Sequence, residues 1–253
     1  MSQPSSVCYV LREDPELADA IPVDRRDRAL EECTAPDLWI QPGPWGGRGS
    51  LGFRGGIGVL VLAGLMIRRV GIEGRFGAEV IGDGDLLRPN EESISPLLPL
   101  TTEWSIVLPT RVAALDRSFE QCVTRYPELT HALVARAIQR SKNLAVNMAI
   151  VHQARVDVRL HMLLWHLAGR WGRVRSDGTV LRLRLTHAIL ADLVAARRPT
   201  VTTALSELGR RGLVSSDGET WVLSGEAPNE LLAYAREANR RASRTAGSPG
   251  LTS

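Results

Sequence analysis

Apolar and polar positions follow different periods in successive stretches of the chain, and each period predicts a different element. Residues 1–35 read as helical, punctuated at Asp14-Pro15 and Pro22, with Asp24-Arg25-Arg26-Asp27-Arg28 as a solvated charged face. From Trp39 to Leu115 the pattern shortens into β-rich runs, Val59–Ile67, Ala78–Ile81, Ser105–Leu108 and Arg111–Leu115. Turn clusters such as Pro42-Gly43-Pro44 and Gly82-Asp83-Gly84-Asp85 separate them. Many short strands divided by Gly and Pro argue for a sandwich or roll over residues 36–126.

The pattern then becomes helical over residues 127–156, entered through Pro127 and uninterrupted by glycine or proline afterwards. Along it Ala137, Ser141, Leu144, Met148 and Val151 recur at alternating spacings of four and three. Such a narrow seam with small residues in it suits a second copy of the chain or packing within one domain, and the unbroken length favours the second copy. A further helix follows over Asp157–Gly169, and Trp171–Leu185 reads as a hairpin around Arg175-Ser176-Asp177-Gly178.

The stretch Leu185–Val214 carries the most chemistry. Thr186 is a polar N-cap ahead of Ile189, Leu190, Leu193 and Val194 at helical spacing. Ala195-Ala196-Arg197-Arg198 leaves room only for a tight turn, and a second helix starts near Pro199, whose missing N–H costs nothing in a first turn. Val201, Leu205 and Leu208 give that helix a buried face, with Arg197, Arg198, Thr200, Thr202 and Thr203 outside. Two helices joined by a short turn, the second with a basic, hydroxyl-rich start, match the needs of major-groove readout. Gly212–Leu223 reads as a hairpin turning at Asp217-Gly218, in the position of a wing, so residues 157–226 form a winged helix-turn-helix. Residues 227–253 read as a polar helix over 228–243 and a disordered end.

Composition narrows the classes. The 253 residues suffice for one large domain or two ordinary ones, and the net charge of +3 with a pI near 9.0 is too mild to establish nucleic-acid binding alone. Basic charge is carried by arginine, with Lys142 the single lysine, and arginine is the better bidentate partner for phosphate and guanine. Cys8, Cys33 and Cys122 lie far apart without a C-x-x-C pair, and reduced thiols are expected. The five histidines show no ligand pairing beyond His161 and His166, which point to different helix faces, so no metal and no cofactor is expected. Gly47-Arg48-Gly49-Ser50-Leu51-Gly52 matches G-x-G-x-x-G without a following helical pattern and reads as loop. No catalytic elbow occurs, and an enzyme is not expected. The start lacks a signal peptide, and Val59–Ile67 is too short to span a bilayer, so a cytoplasmic chain without a membrane partner is expected.

A roll, a long helix and a winged helix, in that order, resemble the Crp/Fnr superfamily of transcription regulators over about residues 25–225. Val59–Ile67 resembles its Gly-containing strand pair, Gly82-Asp83-Gly84-Asp85-Leu86-Leu87 its G-x-G-D turn, and Leu108–Asp116 its final roll strand. The resemblance implies an α+β fold with a cyclic-nucleotide-binding-like jelly roll, a dimerisation helix and a DNA-binding winged helix. It implies that Arg198, Pro199, Thr202 and Thr203 face bases, Arg198 reading a guanine, and that Thr186, His187, Arg197 and Thr200 meet phosphates. Its familiar pattern has Glu at Pro199 and Arg at Thr203, so the operator differs from the best-known half-site. The partners implied are double-stranded DNA, a second copy of the chain, RNA polymerase for an activator, and a small-molecule effector of unknown identity.

The sensor half departs from the resemblance. Where cyclic-nucleotide binders carry Gly-Glu and then Arg-Ser or Arg-Thr, this chain has Leu87-Arg88-Pro89-Asn90-Glu91, which removes donors from a phosphate grip. Val146 and Asn147 stand where the cyclic AMP binder uses hydroxyl residues. Leu87, Arg88 and Asn147 are therefore the candidate lining of a pocket for an effector other than cyclic AMP. A second reading makes the roll a protein-interaction module on a ligand-independent co-regulator.

Overall fold

The computed structural model describes residues 6–46, 56–88 and 98–228. The Gly47–Gly52 loop, Pro89-Asn90-Glu91, and all but the first residue of the helix expected over 228–243 lie outside the described residues. The chain divides into two compact units, 1–148 and 149–253.

The first unit runs β1 (Ser6–Tyr9), α1 (Val10–Glu13), α2 (Pro15–Asp19), α3 (Val23–Glu32), β2 (Thr34–Ile40), β3 (Gly43–Trp45), β4 (Gly58–Ile72), β5 (Arg75–Gly82), β6 (Leu86–Leu87), β7 (Thr101–Leu115), α4 (Arg117–Val123) and most of α5 (Pro127–Val151). Its antiparallel strands form one sheet in the order β1-β2-β7-β4-β5, with β3 on β7 and β6 on β4. Alternation along β4 serves two cores: Val59 and Val61 join Met66, Ile81 and Val112, while Leu60 joins Leu11, Phe119 and Leu129.

Several sequence expectations change here. Residues 1–35 are not wholly helical, because Ser6–Tyr9 pairs with β2, Cys8 facing Ala35. The two runs expected over Ser105–Leu108 and Arg111–Leu115 are one strand. Pro109 lies in β7 just where β4 shifts register around Gly64, whose φ of 112° a side chain would strain. A Cβ on Gly64 would come within 2.5 Å of the Thr110 Cα, so the bulge absorbs the proline at a site only glycine fits. Likewise β4 does not stop at Ile67: Arg68 continues it, paired in register with Glu79 on one side and Trp104 on the other.

That register creates a row across adjacent strands, Trp45, Trp104, Arg68 and Glu79, one residue each from β3, β7, β4 and β5. Trp45 meets Trp104 edge-on with ring centroids 5.5 Å apart, and the Arg68 guanidinium lies 5.8 Å from the Trp104 ring. Arg68 Nη2 reaches Glu79 Oε2 at 2.9 Å, and Arg140 of α5 closes the row on the same carboxylate. Burial lowers the pKa of Arg68 against the pull of Glu79. One turn earlier on α5, Arg136 holds Asp14 at 2.9 Å, Glu16 at 2.8 Å and the Gly84 carbonyl at 3.3 Å. The Gly82–Asp85 turn is thus structural: Asp85, buried, accepts from the Gly82 N–H at 2.9 Å.

The second unit holds the end of α5, then α6 (Val156–Trp171), β8 (Gly172–Arg175), β9 (Gly178–Leu181), α7 (His187–Leu193), α8 (Arg198–Arg210), β10 (Val214–Ser216) and β11 (Trp221–Leu223). Its sheet runs β10-β11-β9-β8. Leu160, Leu163, Leu164, Leu181, Leu190, Val194, Val201, Leu208 and Leu223 form the buried set. The fold is α+β. No helix among the described residues is long and apolar enough to cross a membrane.

Candidate nucleic-acid interface

In the second unit α7 begins because Thr186 caps it: its Oγ1 accepts the Ile189 N–H at 3.2 Å. Val194 ends α7, and Ala195 takes a left-handed φ of 51° that turns the chain within a few residues. Arg159 of α6 secures this turn by donating to the carbonyls of Val194 at 3.1 Å and Ala195 at 3.4 Å. Helix α8 then opens with Arg198 and Pro199 in its first turn and buries Val201, Ala204 and Leu208.

This anchoring leaves Arg197, Arg198, Pro199, Thr200, Thr202 and Thr203 all exposed along the start of α8. Thr186 is exposed and His187 half-buried at the start of α7. The two elements meet there, since His187 Nδ1 lies 2.9 Å from Thr202 Oγ1. Three α8 hydroxyls bond back to their own helix: Thr202 to the Arg198 carbonyl at 3.1 Å, Thr203 to Pro199 at 3.2 Å and Ser206 to Thr202 at 3.0 Å.

Beside α8 the hairpin β10–β11 turns at Asp217-Gly218. Asp217 Oδ1 accepts from Glu219 N at 3.0 Å and Thr220 N at 2.7 Å, bonds that lower its pKa. A groove of about 560 Å³ runs between this hairpin, α8 and the start of α7, with Thr186, His187, Thr202, Ser206, Ser215 and Ser216 in its lining. The serines and the His187–Thr202 contact were not singled out by sequence reasoning, because they are brought together only by the fold. Arg182 and Arg184 are exposed, whereas Arg210 pairs with Glu207 and Arg211 lies 3.6 Å from Asp157.

On α5 the five seam candidates differ in exposure: Ala137, Ser141 and Met148 are exposed, Leu144 and Val151 half-buried. The exposed apolar residues Val134, Ile138 and Met148 extend through Ser141 and Ala145 at the same alternating spacing, one flank over. The pocket candidates have separate surroundings. Leu87 is a core residue, Arg88 donates to the carbonyls of Ile57 at 2.9 Å and Gly56 at 3.1 Å, and Asn147 buries its Oδ1 without a hydrogen-bond partner. Among the described residues no group of three or more His, Cys, Asp or Glu is placed to hold a metal.

Comparison with known proteins places these features. Residues 158–227 match the Crp-like helix-turn-helix domain. A CRP-like cAMP-activated global transcriptional regulator of Mycobacterium tuberculosis is 29% identical over 151 residues, covering 57% of this chain and 64% of the relative. The aligned part of this chain thus spans just under two thirds of that relative's length. Among solved structures, a CooA mutant from Carboxydothermus hydrogenoformans is similar over 93% of this chain and 98% of its own, at 14% identity and a TM-score of 0.57. FixK2 from Bradyrhizobium japonicum is similar over 76% and 93%, at 17% identity and a TM-score of 0.55. At these identities the structures are alike in fold.

Proposed function

We propose that this chain, whose residues 158–227 match the Crp-like helix-turn-helix domain, is a sequence-specific DNA-binding transcription regulator of the Crp/Fnr type. The observation that carries this reading is the start of α8, where every side chain outside the buried Val201 and Ala204 is an exposed arginine, proline or threonine. Arg198 reads a guanine through O6 and N7, Pro199, Thr202 and Thr203 face neighbouring bases, and Arg197, Thr200, Thr186 and His187 grip phosphates.

The protein acts as a homodimer. Val134, Ile138, Ser141, Ala145 and Met148 offer a second copy a narrow exposed stripe at coiled-coil spacing, which accounts for large apolar side chains left in water on α5. Two α8 helices then address a two-fold operator with half-sites about 34–36 Å apart.

The effector is not cyclic AMP. Arg88, within the altered turn, donates to the carbonyls of Ile57 and Gly56, and the run Leu87-Arg88-Pro89-Asn90-Glu91 lacks the Gly-Glu and Arg-Ser or Arg-Thr of cyclic-nucleotide binders. One observation favours the ligand-independent alternative: Arg140 fixes α5 to the sheet using Glu79, a group of the chain itself.

Selection of bound fragments from a random DNA library with the purified protein, at stated salt and with no additive, tests the reading. An enriched palindrome supports a dimeric regulator that needs no small molecule. A single enriched half-site overturns the dimer, and absence of enrichment overturns ligand-independent sequence recognition.

A further inference from the structure

The hydroxyl bonding on α8 bears on which kind of base edge this helix suits, an inference that rests on the proposal that α8 reads DNA. A hydroxyl owns one proton and two lone pairs. Thr202 and Thr203 each direct that proton to a carbonyl one turn back, at 3.1 Å and 3.2 Å. What remains on each oxygen is its two lone pairs. Around Thr202 the balance is tighter still, because His187 Nδ1 approaches the same oxygen at 2.9 Å. The His187 contact fits this arrangement in the tautomer that carries its proton on Nδ1, with Nδ1 donating to Thr202 while the Thr202 proton goes to the Arg198 carbonyl.

We infer that α8 presents Thr202 and Thr203 to DNA as hydrogen-bond acceptors, with His187 of α7 orienting the Thr202 oxygen. On the strand each oxygen faces, these positions therefore favour adenine, through N6, or cytosine, through N4; every base pair carries one such amine, so the choice is which strand holds it. Guanine, which offers only acceptors at O6 and N7, is repelled there and accepted only at Arg198. The threonine methyls leave apolar surface toward a thymine methyl on the paired strand, which reinforces adenine–thymine pairs at these positions. The inference separates the face by charge: one cationic donor group at the start of α8, then two neutral acceptors a turn further on. His187 is a positioning residue acting through Thr202, in addition to any phosphate it meets through Nε2.

The full-length protein is titrated against its selected operator and every single base-pair variant of one half-site, as wild type, Thr202→Val, Thr202→Ser, Thr203→Val, His187→Ala and the His187→Ala/Thr202→Val double variant. Valine keeps the branched shape at an exposed site and removes only the oxygen; serine keeps the oxygen. The expected result is a preferred orientation of the base pair (A–T over T–A, or C–G over G–C) at two adjacent positions, reduced about 5- to 10-fold at one of them by Thr202→Val and kept by Thr202→Ser. His187→Ala weakens the preference at that same base pair, and the double variant is no worse there than Thr202→Val alone. Wild-type binding that tolerates inversion of the base pair at both positions, or a profile unmoved by both valines, overturns the acceptor assignment while leaving DNA reading intact. A histidine effect spread evenly over the half-site overturns the positioning role. A wild-type profile flat across all bases overturns the DNA-reading proposal on which this one rests.

Discussion

Arg140 holds Glu79 in a two-pronged bond, Nε to Oε1 at 2.7 Å and Nη2 to Oε2 at 2.9 Å, with Glu79 almost fully buried. Burial acts against the charge on Arg140, and the bonds to Glu79 outweigh it, so its pKa is raised. The same carboxylate also serves Arg68, so the two partners are unequal. Glu79→Gln leaves two half-buried guanidinium groups short of a counter-charge, whereas Arg140→Gln leaves Glu79 still paired with Arg68. We expect Glu79→Gln to cost about 3–5 kcal/mol of stability and Arg140→Gln less. Urea unfolding of each variant checks the order, and equal losses contradict the shared carboxylate.

The helix-turn-helix was legible in the sequence because its signals are local. Thr186 caps within three residues, Pro199 marks a first turn, and the period of Ile189, Leu190 and Leu193 shows which face is buried. The sheet was legible only in outline. Pro109 and Arg68 look like strand ends along the chain; whether they end a strand depends on Gly64 and Glu79 opposite them, which a period does not reveal. For the same reason the Trp45–Trp104–Arg68–Glu79 row and the His187–Thr202 contact had no sequence signal. Of the residues expected to form a seam on α5, Ala137, Ser141 and Met148 are exposed while Leu144 and Val151 are half-buried, a difference in burial that spacing alone does not reveal.

The exposed stripe on α5 predicts an assembly variant that folds. Met148 is 64% exposed and Ile138 51%, so Ile138→Asp/Met148→Asp changes monomer stability by only about 0.5 kcal/mol per site. In sedimentation velocity the variant runs as a monomer where the wild type runs as a dimer. A variant that stays dimeric places the interface elsewhere.

His166 gives the helix-turn-helix unit a pH dependence. Its pKa is lowered by burial and then by the nearby Arg170 charge. The unfolded chain therefore takes up a proton at higher pH than the folded one, and stability rises with pH through this window. We expect it to be fully present above the ordinary histidine range, about pH 6.5, and to fall as pH drops below that. Melting temperatures between mildly alkaline and mildly acidic pH follow the fall, and His166→Phe flattens it. An unchanged slope assigns the dependence to another group.

Base reading and phosphate contact differ in how they respond to salt and to sequence, and this separates Arg198 from Arg197. Both are exposed at the start of α8, and charge alone makes them equivalent. Their places differ: Arg198 begins the helix, where its guanidinium can reach a base edge, while Arg197 is the N-cap residue. Arg198→Ala should cost about 1–3 kcal/mol at the cognate operator and little on random DNA. Arg197→Ala should weaken both sequences alike and reduce the slope of log affinity against log salt by about one. Paired salt titrations of the two variants on operator and scrambled DNA decide it, because the free energy of a base contact appears only in the difference between the two sequences. An equal loss on both sequences for Arg198→Ala removes it from base reading and counts it among the phosphate contacts.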